Sequence, residues 1–523
     1  LGRALNPENP VMRGTAQNPD TYFQGRESAN SFYNAVPEIV QRKMDELAAE
    51  TGRHYRLFDY YGDPEADNVI VAMGSGGSTV RETVDWLNAN TDSSYGMIVV
   101  RLFRPFSNEH LIAALPKGVK RIAVLDRTKE PGSNGEPLYQ DVMTAMAQAL
   151  ADGTIDTMPL ITGGRYGLSS KEFTPAMVKT VFDNLVASEP KRQFTVGIND
   201  DVTHLSLDVD ESFNIEDESV VRAMFYGLGA DGTVGANKNS IKIIGADPGR
   251  YGQAYFVYDS KKSGAQTVSH LRFGPEPIDS PYLLQTAGFI GCHQWEFVFN
   301  TPLLDKAADG ATLLLNSPFG PDEVWEKLPE SLQKDIVEKN VKLYVIDAYE
   351  VAGQTGMGRR INTVMQVCFF ALAKIMQTDE AIKLIKDAIA KTYAKKGDKI
   401  VQMNFAAVDA SLAHLHEVEI DEGKRSGIGA RRIVPEIAPV FVQDVTAEMM
   451  AGRGDQLPVS KVPVDGTYPP APTQWEKRAI AQMIPEWLDD NCIQCGNCSF
   501  VCPHAAIRAK FCNETELDGA PES

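Results

Sequence analysis

Asn68-Val-Ile-Val-Ala-Met73 runs directly into Gly74-Ser-Gly-Gly-Ser78, and this junction sets the fold class. A continuous apolar run suits a parallel strand buried on both faces. The glycine-rich turn leads into helix-period sequence from about Thr79 to Asn90, with Ser78 in the N-cap position. Met97–Val100 reads as the next strand, and a short helix around Ile112–Leu115 ends near Pro116. Arg121–Asp126 reads as a third strand. Strands alternating with helices predict a doubly wound α/β domain. The Gly74 turn could receive a phosphate at a helix start, but it reads more simply as a tight crossover. Downstream, Thr128–Gly135 has surface turn chemistry, residues 163–176 read as a glycine-rich loop with exposed polar side chains, and Pro175–Ala187 reads as a helix.

Upstream, Gly14–Asp20 is turn-rich. Val36, Ile39, Val40, Met44 and Leu47 are spaced for one buried helical face over Val36–Glu50. Tyr55–Tyr61 reads as a strand or connector. Residues 1–60 are read as the tail of another domain.

Downstream lies a second α/β unit. Strand-like Val220–Tyr226 runs into Gly227-Leu-Gly229-Ala-Asp-Gly232-Thr-Val-Gly235-Ala-Asn-Lys238. Taken literally, this is the dinucleotide fingerprint in its strand–turn–helix context. Backbone N–H groups and a helix N-terminus there can receive a phosphate. NAD would also need an acidic residue closing the second strand about 20 residues on. Asp247 has roughly that distance but sits in a Gly-Ala-Asp-Pro-Gly turn. The strand Ala254–Tyr258 ends instead in Asp259-Ser-Lys261-Lys262-Ser-Gly264. Two lysines suit a phosphate-rich ligand better than a ribose diol. A phosphorylated nucleotide other than NAD is therefore expected, with a glycine turn made only for packing as the alternative. The alternation continues with strands Ala311–Leu315 and Val341–Ile346, an apolar helix through Met365–Ile375 with Cys368 in its core, and a helix over Asp379–Thr392. His414 and His416, placed on a helix, read as surface or structural. Residues 431–471, rich in Pro and Val, read as a linker or small connecting domain.

Near the end stands Cys492-Ile-Gln-Cys495-Gly-Asn-Cys498-Ser-Phe-Val-Cys502-Pro503. The spacing C-x₂-C-x₂-C-x₃-C-P is the bacterial-ferredoxin run for a 4Fe–4S cluster, in which the fourth thiolate serves a neighbouring cluster. A structural zinc site wants a second C-x-x-C pair, which is missing. Disulfides do not suit a long chain with 7 cysteines. Cys292, Cys368 and Cys512 read as free thiols, so a reducing cytoplasm is expected.

Composition sets the bounds. The chain has 523 residues, 43% hydrophobic and 23% charged, with a net charge of −19. That charge argues against a nucleic-acid backbone as partner. No run approaches the ~20 apolar residues that span a bilayer. The sequence opens without Met or an apolar signal core and reads as cut from something larger.

Taken together, these stretches resemble the pyruvate:ferredoxin (flavodoxin) oxidoreductase family, the large single-chain 2-oxoacid oxidoreductases. The matching motifs are Gly14–Asp20 with Tyr22–Glu27, Val124–Gly132, Thr162–Leu168, Gly227–Lys238, Tyr258–Gly264 and Cys492–Pro503. The resemblance implies an α/β multidomain chain from the middle of such a protein. Residues 1–60 would be the tail of an N-terminal thiamine-pyrophosphate-type domain, 61–217 a transketolase-C-terminal-like doubly wound domain, and 218–430 a coenzyme-A-binding α/β domain. Residues 431–471 would be a linker domain, and 472–523 the start of a two-cluster 4Fe–4S ferredoxin-like α+β domain. The implied reaction takes pyruvate, coenzyme A and oxidised ferredoxin or flavodoxin to acetyl-CoA, CO₂ and reduced carrier. Another 2-oxoacid, or a non-catalytic coenzyme-A-binding and electron-relay module, are the alternatives. Gly229, Ala230, Asp231, Gly232 and Thr233 resemble the family's coenzyme-A loop. Lys261 matches its coenzyme-A lysine, and Asn362 and Asn404 match two asparagines completing that site. Cys492, Cys495 and Cys498 match ligands of one 4Fe–4S cluster and Cys502 a ligand of the next. Thiamine pyrophosphate and Mg contacts lie mainly outside this stretch, as do the catalytic residues. The family further implies a homodimer, and this portion alone is expected to be inactive.

Overall fold

The structure, a computed structural model, describes residues 4–12, 14–229, 231–246, 249–259, 265–476, 485–503, 505–513 and 515. It forms two compact units, Leu1–Glu476 and Lys477–Ser523.

Helices α1 (Pro19–Glu27) and α2 (Asn30–Thr51) lead the first unit. Only part of the expected apolar face of α2 is used. Ala48 is buried and Val40 and Met44 pack against the adjoining core, but Ile39 and Leu47 are 43% and 46% exposed. Helical periodicity marks a face without saying whether anything covers it.

The first sheet contains β1 (Phe58–Gly62), β2 (Asn68–Met73), β3 (Tyr95–Val100), β4 (Arg121–Asp126), β5 (Leu160–Arg165) and β6 (Gln193–Thr195). Their order is β1-β3-β2-β4-β5-β6. All neighbours are parallel except β1 with β3. A domain boundary after residue 60 therefore falls inside β1. Helices α3 (Gly76–Asn90), α4 (Asn108–Ala114), α5 (Pro137–Ala151) and α6 (Pro175–Val186) cover both faces. This is the expected doubly wound arrangement. Helix α3 starts earlier than its sequence suggested, so Ser78 lies in the first turn and Ser75 holds the N-cap position. Gly163–Arg165 belong to a strand rather than a loop. These two glycines read as turn formers, yet they are there for closeness: a Cβ on Gly163 would press on the Tyr139 ring and one on Gly164 on Phe194.

The second sheet is mixed. It contains β7 (Val221–Leu228), β8 (Tyr251–Tyr258), β9 (Gln266–Gly274), β10 (Ala287–Cys292), β11 (Ala307–Asn316), β12 (Lys342–Ile346) and β13 (His416–Glu417). The order is β13-β12-β11-β10-β7-β9-β8. Strands β7, β10, β11 and β12 are parallel, while β9 is antiparallel to both β7 and β8. The simple alternation expected here fails at β8–β9, which form an antiparallel pair. Neither β9 nor β10 announces itself in the sequence. β9 buries Thr267, Ser269, His270 and Arg272, so it has no apolar run. β10 is interrupted by Gly288 and Gly291.

Helix α7 (Thr233–Ile244) crosses from β7 to β8. Short α8 (Phe297–Asn300), α9 (Glu330–Glu338) and α10 (Ala348–Gln354) follow the parallel strands. α11 (Asn362–Ala373), α12 (Thr378–Tyr393) and α13 (Asp398–Ser411) pack with α7 on one face of the sheet. Cys368 is buried there, as expected. His416 begins β13 and is exposed, and His414 ends a 3₁₀ turn, so the two do not share a helix.

Residues 431–471 are more than a tether. Val434, Ala438, Val442 and Ala447 form a small core with Ile433, Met450 and Trp475 against it, and α14 (Ala447–Met450) closes it. This segment is tied to the first domain by Val459 N–H donating to Asn199 O at 2.9 Å, Ser460 N–H donating to Asp201 Oδ1 at 2.9 Å, and an ion pair of Lys171 with Asp455. In the second unit, α15 (Asn497–Val501) starts after Gly496, whose φ of +73° is left-handed. Among the described residues no helix is long and apolar enough to cross a membrane.

Candidate functional site

The parallel strands β7, β10, β11 and β12 end on one edge of the second sheet. From β7 the chain crosses by α7 toward β8, while β10 lies on the other side. Such a divergence opens a crevice at the carboxyl ends of the strands, where α/β folds bind ligands. The side chains that follow β7, β10 and β11 there are polar: Asp231, Thr233, His293 and Asn316.

Asp231 organises the turn after β7. Its Oδ2 accepts the Leu228 N–H at 2.7 Å and the Gln294 side-chain amide at 3.0 Å. Its Oδ1 accepts the Thr233 N–H at 2.9 Å and the Thr233 hydroxyl at 2.6 Å. Four donors thus fill its acceptor sites. Thr233 is fully buried, and its Oγ lies 2.7 Å from His293 Nδ1. Gly232, with φ +87°, is the N-cap of α7; an L-residue is strained there. A Cβ at Gly232 would come within 3.2 Å of Asn362, while Gly235 in the first turn faces open space. The Gly229 N–H donates to Ala265 O at 2.9 Å and the Asp231 N–H to Leu228 O at 3.2 Å. Val234 and Gly235 N–H, the helix-start donors, find no acceptor among the described residues.

The structure thus brings Gly229, Asp231, Gly232, Thr233 and Asn362 to one crevice. Asn404 lies one helix further in. It is 1% exposed, accepts the Thr363 hydroxyl at 3.3 Å and donates to Ile400 O at 2.8 Å. Its amide therefore holds α13 against α11. Ala230, Asp247, Lys261 and Lys262 lie outside the described residues. The Asp231 and Thr233 side chains bond within the loop and shape it.

Sequence reading missed His293, Gln294 and Asn316. His293 is 1% exposed, and burial pushes its pKa down. Asn316, at the end of β11, donates to His293 O at 3.0 Å and accepts the Ala348 N–H at 3.0 Å. Polar residues directly after an apolar strand, as in Asn316-Ser-Pro318, are the available signal. His293 follows a strand that was itself not read. Arg359 and Arg360 are exposed just before Asn362, and the Arg359 guanidinium lies 5.7 Å from the Tyr349 ring centroid. They put two positive charges in the chain just before Asn362.

In the second unit, Cys492, Cys495 and Cys498 are exposed and Cys502 is half-buried. Cys492 Sγ accepts the Gln494 N–H at 3.4 Å and Cys502 Sγ the Ala506 N–H at 3.3 Å. Backbone donors to sulfur are among the levers that tune iron–sulfur clusters. Gln494 and Gly496, both at positive φ, curl the backbone around the run. The donor set, soft thiols on a tight loop, fits a 4Fe–4S cluster. Among the described residues no three His, Cys, Asp or Glu side chains are gathered as a metal site. Cys292 and Cys512 are free thiols, the first buried with its pKa pushed up to about 12 by burial, the second exposed.

Comparison with known proteins matches four stretches of the chain. Residues 66–166 match the model of pyruvate:ferredoxin oxidoreductase core domain II, and residues 222–413 that of pyruvate ferredoxin/flavodoxin oxidoreductase. Residues 429–481 match a domain of unknown function, and residues 484–507 a 4Fe-4S binding domain. A pyruvate-flavodoxin oxidoreductase of Rhodospirillum rubrum is 59% identical over 97% of this chain and 43% of its own length. One of Trichormus variabilis is 57% identical over 100% of this chain and 44% of its own. The pyruvate:ferredoxin oxidoreductase of Moorella thermoacetica is 52% identical over 100% of this chain and 44% of its own. The chain spans less than half the length of these relatives. It belongs to the pyruvate ferredoxin/flavodoxin oxidoreductase family.

Proposed function

We propose that this chain supplies the coenzyme-A site and part of the electron path of an enzyme that oxidatively decarboxylates pyruvate to acetyl-CoA and CO₂, with ferredoxin or flavodoxin as acceptor. The observation carrying this reading is the polar crevice after β7. There Val234 and Gly235 N–H at the start of α7 and Asn362 lie beside a glycine turn, with two exposed arginines just before Asn362 in the chain. Helix starts favour phosphate through their N–H groups and dipole. In this reading the phosphates of coenzyme A lie at Gly229–Thr233, including Ala230, with Lys261 as their cation. Asn362 meets the pantetheine or adenine, and Asn404 supports it from α13.

Cys492, Cys495 and Cys498 would hold one 4Fe–4S cluster, and Cys502 would ligate a neighbour. Such clusters supply one-electron transfer. Thiamine pyrophosphate with Mg would supply the decarboxylation chemistry and is bound mainly by other parts of the enzyme. We place the protein in a reducing cytoplasm, as a homodimer.

The direct test is calorimetry of coenzyme A and of NADH on the full chain. Coenzyme A should bind and Lys261→Ala should weaken it about tenfold. Binding of NADH but not coenzyme A would overturn the assignment. Pyruvate-dependent viologen reduction by these 523 residues alone would contradict the placement of the thiamine site elsewhere.

A further inference from the structure

We infer that His293 is a positioning residue for the phosphate turn: its Nδ1–H donates to the Thr233 hydroxyl and so holds the Asp231 carboxylate and the first turn of α7 in place. The inference rests on the coenzyme-A reading of the crevice.

The proton count decides the direction of each bond. The Thr233 hydroxyl carries one proton. Ionised Asp231 can only accept, and its Oδ1 lies 2.6 Å from Thr233 Oγ. That proton is therefore committed to Asp231. His293 Nδ1, 2.7 Å from the same oxygen, must then be the donor. Burial disfavours the charged ring; a neutral imidazole has one N–H, and here the geometry puts that N–H on Nδ1. The result is a directed chain: His293 Nδ1–H to Thr233 Oγ–H to Asp231 Oδ1.

The far end of this chain is rigid. His293 N–H donates to Tyr226 O at 2.9 Å, and Asn316 ties His293 O to the Ala348 N–H. The Phe225 ring meets the imidazole edge-on, with centroids 6.1 Å apart. Three parallel strands and the start of α10 thus fix one imidazole, which in turn fixes a loop. The consequence for ligand binding is electrostatic. A carboxylate beside a phosphate site repels the ligand unless it is held inward and fully bonded. Without His293, the Thr233 hydroxyl loses the donor that fixes its orientation, and its hold on Asp231 Oδ1 loosens while the Leu228, Thr233 and Gln294 N–H donors remain, so the carboxylate and the first turn of α7 are held less firmly.

The test is calorimetry of coenzyme A on the full chain carrying His293→Asn, His293→Gln or His293→Phe. The Asn amide nitrogen falls where Nδ1 was, whereas that of Gln falls nearer Nε2. Asn should keep Kd within about threefold of the parent, and Gln and Phe should raise it tenfold or more. A residue that only filled space would rank Gln, closer in size to His, above Asn. If the parent chain binds no coenzyme A, the coenzyme-A reading fails. If it binds and Phe or Gln does as well as Asn, the role of His293 fails. Should the variants not fold, ¹⁵N spectra of the parent chain still decide: His293 must show a protonated Nδ1 and a bare Nε2 from pH 6 to 8, and the opposite tautomer overturns the inference.

Discussion

Each of the two sheets has a strand, a glycine turn and a helix at the point where its connections diverge, yet the two turns have opposite fates. In the first sheet the start of the helix after β2 is packed shut, although Gly74 and Ser75 before it are exposed. A Cβ on Gly76 would overlap the Tyr166 hydroxyl, and one on Gly77 would press on Val99. The Arg127 guanidinium bridges Ser75 Oγ at 2.9 Å and Gly167 O at 3.1 Å. Tyr166 and Arg127 thus lie against the start of this helix. In the second sheet the turn after β7 is braced from behind by Asp231, Thr233 and His293, and its outer side is left open at Gly235. A glycine turn before a helix is thus only permission to bind. Which side its neighbours occupy decides whether it does.

The largest test of this contrast is a pair of substitutions. Gly227→Ala would drive a methyl group into the buried Thr233 hydroxyl. It should cost about 3 kcal/mol in chemical denaturation and abolish coenzyme-A binding. Gly76→Ala should destabilise similarly through Tyr166 but leave the affinity of the folded fraction unchanged. Equal loss of binding in both would break the contrast.

Acid should separate the two sheets next. His270 in β9 is held down to about 4 by burial, with Arg272 and Lys306 adding to the effect. Its stabilising contribution is complete above the unfolded value near 6.5 and is lost as pH falls toward 4, by up to about 3 kcal/mol. In the first sheet, burial pushes Asp126 up. Its folded form favours the proton more than its unfolded form does, so acid relieves it. Hydrogen exchange should show β9 losing protection on going from pH 7 to pH 4.5 before β4 does. The reverse order would refute this assignment of the pH-sensitive groups.

Thr233→Val removes one hydroxyl and leaves the His293 donor unpaired in a buried site. A loss of about 2 kcal/mol is expected, with coenzyme-A affinity falling alongside. Smallest of all, Gly74→Ala meets open space and only positive-φ strain, at +74°. It should cost about 1 kcal/mol and leave ligand binding unchanged; a tenfold loss of affinity would show that the first turn takes part after all.

Legibility in the sequence followed burial chemistry. β2 and β4 were plain because strands covered on both faces must be apolar, and their bounds matched closely. β9 was invisible because its inward positions carry Thr267, Ser269, His270 and Arg272. Arg272 is compensated by Glu216, at 2.7 Å, and by Tyr282 O, at 2.9 Å, partners outside the strand that no local pattern reports. The glycine turn at 227–232 was legible as a phosphate loop because it needs a residue type and a spacing. What the Asp231 and Thr233 side chains do within it was not legible, since chemistry at a loop does not say which way a side chain turns.

The amino-acid sequence alone determined the α/β class, the glycine turns, the cysteine run and the resemblance to a family, because each depends on local spacing or on the identity of residues close together in the chain. Only the tertiary structure decided that β9 slots between β7 and β8, that His293 and Asn316 brace the turn, and that the helix start is packed at Gly76 and Gly77 after one glycine turn and open at Gly235 after the other. Those outcomes depend on which distant side chains arrive at the same place, and packing and hydrogen bonding across the fold settle that.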